Sequence, residues 1–509
     1  MDAVSRATAG ILTAALLCGA ARAADDLERG LDLARRGQWA EARSVLETGE
    51  RQSPADKRFP LELAGLEYQR KHFAAAIRDL HRALALDPAD SYGNDFLATI
   101  YFLEGNLEAA LKYWNRIGKP RVTGITVSPQ PRLRRVLLDR ALDFSPASVL
   151  TLEQYRNTRA WLDSLDVLGP YRLGLEAGPD ERFDAALGWF EPSPWWKAAS
   201  MLRGVAYQTV QPEWSDIGGT GWNWTNLLRW DAQKRRVSTA FQGPLRRDPR
   251  WRLLAYADAR WETWNSGAPD DFRMQRNVAG LRLQALPGSR FSWHTGLEIS
   301  SRHFAGAPAL AGGTALQYSA GANYALLRIP ERRLRIDSST NWDLGRMFSR
   351  SRDLYARGQA SLAAHWFPQA QGSDYEMTAQ LRGGSVFGAA PFDELFQLGI
   401  ERDNDLWLRG HPGAIDGKKG SAPIGRGYLL SNWDLYKDVY RHPLFTIQLG
   451  PFLDTGRIHD VFGRFGDGRL LVDTGAQCRA RLPGGLSVVV TYGRDLRGGG
   501  KVLYATVGR

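Results

Sequence analysis

Along the second half of the chain, from Trp195 to the end, hydrophobic and polar residues alternate in segments of strand length. Segment 291–300 is an example, with Phe, Trp, Thr, Leu and Ile at its odd positions and Ser, His, Gly, Glu and Ser at its even positions. A period of two places successive side chains on opposite faces of a strand. Because no helical period is evident in this half, the pattern predicts an antiparallel sheet.

Sixteen such segments are separated by clusters of Gly, Pro, Asp and Ser. They lie near 201–211, 218–231, 236–245, 251–264, 274–287, 291–304, 316–330, 332–346, 353–369, 375–388, 391–404, 425–439, 445–458, 469–483, 487–496 and 501–509. An even strand number, charged residues on one face and aromatic residues at strand ends, such as Trp251 and Trp264, are typical of bacterial outer-membrane barrels. The sequence therefore predicts a 16-stranded antiparallel transmembrane β-barrel over residues 193–509, whose wide lumen needs a plug or a passenger.

Residues 24–118 have a different pattern, which repeats every 34 residues. The repeated positions are Trp39, Phe73 and Leu107; Ala42, Ala76 and Ala110; and Leu46, Leu80 and Trp114. Stacked helix pairs produce such a period, because each pair exposes an apolar face that only its neighbour can cover. The spacing resembles that of tetratricopeptide repeats (TPRs). It predicts an α-helical solenoid of three repeats, with Trp39, Phe73 and Leu107 buried between the helices.

Gly118-Lys119-Pro120 ends the repeats, because proline cannot continue a helix. The following segment, residues 121–192, reads as a short strand, two helices and two alternating strands. This β-α-α-β-β order resembles a POTRA domain, a small α/β unit that precedes outer-membrane barrels in the periplasm. The alternative is a small α/β linker domain of no particular family.

The first 23 residues have the composition of a secretory signal peptide, with Arg6, an apolar run from Ala9 to Ala20, and a small-residue cleavage site ending at Ala23. The chain has a formal net charge of +11, and residues 193–509 hold 41 Lys/Arg against 28 Asp/Glu. A basic chain often binds nucleic acid. Because this chain is predicted to be exported, the expected partner of its excess charge is outer-membrane lipid and not nucleic acid.

A loop predicted between two strands, from about 405 to 424, is rich in glycine and proline and contains Leu408, Arg409, Gly410 and His411. These small and kinked residues would let the loop fold back into a barrel. Arginine is suited to binding a carboxylate there, because its planar guanidinium can donate two parallel hydrogen bonds.

The candidate acceptors of Arg409 lie on two neighbouring predicted strands. In the segment 445–458, Phe452, Asp454 and Gly456 share the face opposite Leu453, which is expected to face lipid. By the same parity, Asp434 of the preceding strand also faces inward. Two acidic side chains would thus face the lumen that the Arg409 loop enters.

These two motifs together resemble the signature of the BamA-type outer-membrane assembly and translocation superfamily, the bacterial surface antigen barrels. The resemblance implies that Arg409 and Asp454 hold the loop inside the barrel, with Asp434 as a second acceptor. His411 departs from the family, which usually has an aromatic residue after Arg-Gly. The chain also ends in Val507-Gly508-Arg509, where outer-membrane strands commonly end in phenylalanine.

The resemblance implies a bacterial outer-membrane protein that inserts or translocates a polypeptide, or less favourably a lipid, with its TPR and POTRA-like domains binding a periplasmic protein. A polysaccharide exporter with TPRs and a passive receptor or scaffold are the alternatives. The sequence contains no Gly-x-Ser-x-Gly motif and no dense Ser/His/Asp cluster, and its 8 histidines are scattered. We therefore expect neither enzymatic activity, a metal site nor a cofactor.

Overall fold

The computed structural model describes residues 24–178, 182–191, 193–265, 271–310, 312–348, 353–370, 372–442, 444–465 and 468–508. The predicted signal peptide, residues 1–23, lies outside these ranges. The described chain forms two compact units. The first comprises residues 24–121 with 149–152 and 370–372, and the second comprises the remainder.

Most of the first unit is helical. Its helices are α1 (24–35), α2 (Trp39–Gln52), α3 (Arg58–Gln69), α4 (Phe73–Leu86), α5 (Ser91–Leu103) and α6 (Leu107–Trp114). The second helix of each successive pair begins at Trp39, Phe73 and Leu107. The period of 34 residues in the sequence is therefore also the period of the helix boundaries.

The small residues of the repeat, and not its large ones, lie deepest in this unit. Ala42, Ala76 and Ala110 are each 0% exposed. Trp39, Phe73 and Leu107 are only half-buried, so the prediction that they are buried between helices is wrong. The reason is that each is the first residue of its helix, where neighbouring helices cover one side only. The alanines follow three residues later, and their small side chains let the helices approach closely.

The segment 121–189 forms a small α/β domain. Its elements are β1 (Arg121–Ser128), α7 (Arg135–Ala141), β2 (Ser148–Val149), α8 (Leu152–Leu165), β3 (Tyr171–Ala177) and β4 (Arg182–Trp189). They form a four-stranded sheet in the order β2-β1-β4-β3. The short strand β2 is an addition to the predicted β-α-α-β-β order. Two residues of the predicted turn, 179 and 180, lie outside the described residues.

The rest of the chain is dominated by one large antiparallel sheet, preceded by α9 (Pro194–Met201). Its strands are β5 (Thr209–Val210), β6 (Glu213–Trp214), β7 (Asn223–Trp230), β8 (Lys234–Pro244), β9 (Trp251–Trp264), β10 (Phe272–Ala285), β11 (Phe291–Ala305), β12 (Gly313–Ile329), β13 (Leu334–Phe348), β14 (Leu354–Trp366), β15 (Tyr375–Gly388), β20 (Gly427–His442), β21 (Phe445–Ile458), β22 (Leu471–Arg481), β23 (Ser487–Asp495) and β24 (Lys501–Gly508). The short strands β16 (Phe396–Gln397), β17 (Ala414–Ile415), β18 (Lys418–Lys419) and β19 (Ile424–Gly425) belong to the loop between β15 and β20.

Consecutive long strands pair in register, so each chain reversal is a hairpin. For example, Asp434 of β20 is opposite Phe452 of β21, and Asp454 of β21 is opposite Asp473 of β22. Exposure alternates along each strand, as the sequence pattern predicted: Leu449 and Leu453 are exposed, whereas Phe452 and Asp454 are buried.

Fourteen of the sixteen predicted strand segments coincide with long strands of the sheet. The other two predictions are wrong. Most of segment 201–211 is helix α9, a 3-10 turn and two residues of β5; Pro194 at the start of α9 is compatible with a helix there. Segment 391–404 is loop, because Asn404 turns back to donate to the carbonyls of Gln397 and Gly399.

The hairpins place alternate turns at opposite edges of the sheet. We call the edge formed by the turns after β8, β10, β12, β14, β20 and β22 the turn edge. The small α/β domain is bound there: Trp161 Nε1 donates to the carbonyl of Leu286 (3.0 Å) and Ser164 Oγ to that of Pro249 (3.2 Å). The loop between β15 and β20 leaves from the opposite edge. Within the described residues, no helix has the length and apolar character needed to cross a membrane.

Candidate functional site: the loop inside the sheet

Residues 389–426, between β15 and β20, form a long loop that is packed against inward-facing side chains of the sheet. Leu398, Leu406 and Leu408 of this loop are 0 to 4% exposed and pack on Leu430 of β20. An apolar cluster of this kind fixes the loop in one place, which brings its polar residues within reach of the sheet.

Arg409 is bound to Asp454 by three hydrogen bonds. Its Nε donates to Oδ2 (2.8 Å), its Nη2 to Oδ1 (2.5 Å), and its backbone N–H to Oδ2 (3.0 Å). The remaining nitrogen, Nη1, donates to Oδ1 of Asp434 (2.5 Å). The structure thus brings together the loop arginine and both acidic residues that the sequence singled out.

The arginine is also packed from below. Phe452, whose side chain points inward beside Asp454, lies with its ring centroid 3.9 Å from the guanidinium carbon. Gly456 leaves room for Leu408, because a Cβ at this glycine would be 2.9 Å from a methyl carbon of Leu408. The inward face of β21 is therefore shaped for this loop segment.

The site is nearly closed to water. Asp454 is 0% and Arg409 4% exposed. Asp454 also accepts from Asn432 (2.7 Å), and Asp434 accepts from Gln477 (2.7 Å). Burial lowers the pKa of Arg409, but its hydrogen bonds and the charges of Asp454 and Asp434 outweigh burial and raise that pKa above its usual value. The guanidinium is therefore charged.

Gly410 allows the loop backbone to touch the sheet. Its N–H donates to Oδ2 of Asp473 (2.6 Å), and a Cβ on Gly410 would lie 2.5 Å from the backbone nitrogen of Asp495. Gly493 serves the same approach from the other side, since a Cβ there would lie 2.0 Å from the carbonyl oxygen of Arg409. Any larger residue at these two positions would separate the loop from β22 and β23.

His411 lies between two acidic side chains that the sequence did not indicate. Its Nδ1 is 3.0 Å from Oδ2 of Asp473, and its Nε2 is 3.5 Å from Oδ2 of Asp495. Burial lowers the pKa of His411, but the hydrogen bond to Asp473 and the charges of both aspartates outweigh it, so the pKa is raised above its usual value. The three side chains are close enough to hold a cation, but both ring nitrogens already face carboxylates, so we interpret the group as an ion pair.

A second arginine fork, also missed by the sequence analysis, binds the beginning of the same loop. Arg302 of β11, with a side chain 0% exposed, donates from Nε to Asp393 (2.8 Å) and from Nη2 to Glu394 (2.6 Å). Arg276 of β10 lies 3.3 Å from each of these two acidic residues. Alternation showed that Arg302 faces inward, but nothing in the sequence indicated a partner 91 residues away.

A third ionic cluster binds the middle of the loop to β7 and β8. Asp403 accepts from Arg229 (2.5 Å) and Arg236 (2.9 Å), and Glu401 from Lys234 (3.1 Å). Burial raises the pKa of Asp403, but the charges of Lys419, Arg229 and Arg236 outweigh burial and keep that pKa below its usual value. The loop therefore contacts strands on several sides of the sheet.

A long antiparallel sheet with a loop arginine locked onto its inner wall defines the class of the molecule as an outer-membrane-type barrel of the BamA kind. No family model and no curated protein matches the chain. Among solved structures it is similar to CdiB from Escherichia coli, at 12% identity and a TM-score of 0.50, with 77% of this chain and 75% of that chain covered.

Two further solved structures are similar at lower scores. CdiB from Acinetobacter baumannii is 12% identical with a TM-score of 0.47, over 76% of this chain and 73% of that chain. BamA from Haemophilus ducreyi lacking POTRA domains 1–3 is 11% identical with a TM-score of 0.45, over 76% of this chain and 84% of that chain. The fold is thus that of a BamA-type barrel.

Proposed function

We propose that this protein is a bacterial outer-membrane barrel that inserts or translocates a polypeptide. The observation that carries the proposal is the Arg409 loop: it lies inside a BamA-type fold and donates four hydrogen bonds to Asp454 and Asp434. A barrel of this width needs a plug that can be held and released. A loop held by a few localised ion pairs, and not by covalent bonds, meets that requirement.

We further propose that the N-terminal helices are three TPRs, that the α/β domain is a POTRA domain, and that both lie in the periplasm. The 34-residue spacing of helix starts at Trp39, Phe73 and Leu107 supports the first assignment. The four-stranded sheet with two helices, bound at the turn edge, supports the second. In this arrangement the helical repeats receive a periplasmic protein and the POTRA domain delivers a polypeptide to the barrel.

Photo-crosslinking in cells tests the proposal. A photoreactive residue at Gln380, whose side chain is on the inward face of β15, would contact a substrate inside the barrel. The matched control is Leu381, the next residue, which is 44% exposed on the outer face. We expect a polypeptide crosslinked at Gln380 and phospholipid at Leu381, in outer-membrane fractions. Recovery in the soluble periplasmic fraction, or glycan or lipid as the only adduct at Gln380, would contradict the proposal.

A further inference from the structure

Helix α9, Pro194–Met201, has an apolar face that no other residue covers. None of its residues is buried. Trp195 is 68% exposed, and Leu202, which follows the last turn, is 57% exposed. Ala198 and Ala199, between them, are also exposed. These positions are three and four residues apart, so they share one face of the helix.

The opposite face of α9 is fixed to the protein. Trp196 Nε1 donates to the carbonyl of Pro483 (3.0 Å), in the turn after β22. Arg203, just beyond the helix, pairs with Glu213 of β6 at 2.5 Å. Since one side is bound to the turn edge and to β6, the exposed apolar face has a defined direction, which is away from the protein.

This apolar face continues into the outer face of the sheet. Trp214 of β6 and Trp224 of β7 are 47% and 42% exposed, and their rings stack at 4.8 Å. Trp224 follows the buried, inward-facing Asn223, so it points outward. Tryptophan has an apolar body and one polar N–H, and it is enriched where membrane hydrocarbon meets headgroups.

The turn edge next to α9 carries exposed positive charge. Exposed arginines occur in the turns after β8, β10 and β12, namely Arg246, Arg247, Arg290 and Arg332, and Lys197 is exposed on α9 itself. Cationic side chains at a membrane surface are attracted to anionic lipid headgroups. An apolar face beside a cationic edge has the chemistry of an interfacial helix.

We propose that α9 lies in the headgroup region of the membrane leaflet at the turn edge, in contact with anionic phospholipid. Trp195, Ala199 and Leu202 face the acyl chains, while Lys197 and the turn arginines contact the headgroups. The inference rests on the proposed outer-membrane location. Because α9 connects the small α/β domain to the first strands of the sheet, its attachment to lipid would fix that domain against the membrane surface.

The test uses the full chain with Cys18 and Cys478 replaced by serine, reconstituted in vesicles of phosphatidylcholine and phosphatidylglycerol. Single cysteines carrying a nitroxide replace Leu202 on the apolar face, Lys197 as the matched control, and Leu297, which is 57% exposed on the outer face of β11. Collision with O₂, which is concentrated in hydrocarbon, is compared with collision with a water-soluble nickel chelate. We expect O₂ to dominate at 202 and 297, and the chelate to dominate at 197.

The outcomes separate the inference from the function on which it rests. If 297 is in lipid but 202 collides mainly with the chelate, α9 is not interfacial and the inference is overturned. If 297 is also in water, the membrane location itself fails. In vesicles of phosphatidylcholine alone, we expect the ratio of O₂ to chelate collision at 202 to fall. An unchanged ratio would overturn the role of anionic headgroups.

Discussion

The loop 389–426 is held by two arginine forks of opposite polarity. At the first, the cation belongs to the loop, since Arg409 binds Asp454 and Asp434 of the sheet. At the second, the cation belongs to the sheet, since Arg302 binds Asp393 and Glu394 of the loop. Both forks are buried, so burial does not distinguish them.

Their positions along the loop do distinguish them. Asp393 and Glu394 follow the end of β15 at Gly388 by a few residues, so the chain is already constrained where Arg302 binds it. Arg409 is far from both flanking strands, in the middle of the loop. Fixing a central segment costs more conformational entropy than fixing one beside a strand. The Arg409 fork therefore controls the position of the loop, whereas the Arg302 fork reinforces its base.

The largest effect is expected for Arg409→Ala. It leaves Asp454, which is 0% exposed, without its main partner, and breaking a buried pair in this way costs about 3–5 kcal/mol. Protease cleavage within 405–424 should become fast, while the barrel keeps its resistance to unfolding in detergent. Asp454→Ala should behave similarly, and the double variant should be little worse, because both remove one interaction.

Lys418→Ala is the matched control for this experiment. Lys418 lies in the same loop but its ion pair with Asp271 is partly exposed, and pairs of this kind contribute about 0–1 kcal/mol. Equal protection of the loop in Arg409→Ala and Lys418→Ala would show that the apolar contacts of Leu398, Leu406 and Leu408, and not the arginine, hold the loop.

A smaller effect is expected for Arg302→Ala. Both acidic partners lose a charge-assisted hydrogen bond, at a cost of about 1.5–3 kcal/mol, but Arg276 remains 3.3 Å from each. Cleavage near 391–395 should increase, with no change within 405–424, and function should be largely kept. An effect on the 405–424 segment as large as that of Arg409→Ala would remove the distinction between a controlling fork and a reinforcing one.

The two forks also differ in how far the sequence revealed them. Arg409 and Asp454 were found because a family resemblance supplied the pairing and alternation supplied the direction. For Arg302, alternation gave only the inward direction, since its partners depend on how a loop more than eighty residues later folds back. Helix α9 was missed for a related reason: a short amphipathic helix between strands gives too few residues for a period to be recognised. The repeats were recognised, but the burial of Trp39 depends on where its helix starts.

The middle of the loop should be less sensitive still. Asp403→Asn keeps the shape of the side chain and a hydrogen-bond acceptor for Arg229 and Arg236, and it removes one charge. Arg236 keeps Asp258 as a partner at 2.6 Å, so the cost should be about 1 kcal/mol or less. Thermal unfolding with intact protection of residues 405–424 is the expected result; loss of that protection would place Asp403 among the controlling contacts.

The smallest effect, and the one that depends on pH, is expected at His411. Because its pKa is raised in the folded protein, protonated His411 stabilises the loop at pH values below the ordinary histidine pKa of about 6.5. This contribution is lost as the pH rises through the folded-state pKa. Loop protection in the wild type should therefore weaken as the pH rises above about 6.5. His411→Phe keeps an aromatic ring but cannot be protonated, so its protection should be weaker at low pH and independent of pH over the same range. The contrast follows from the geometry of Asp473 and Asp495, which face the two ring nitrogens. A wild-type loop that is better protected at high pH would mean that the imidazole is neutral between the two aspartates, and that the Arg409 fork acts without help from its neighbour.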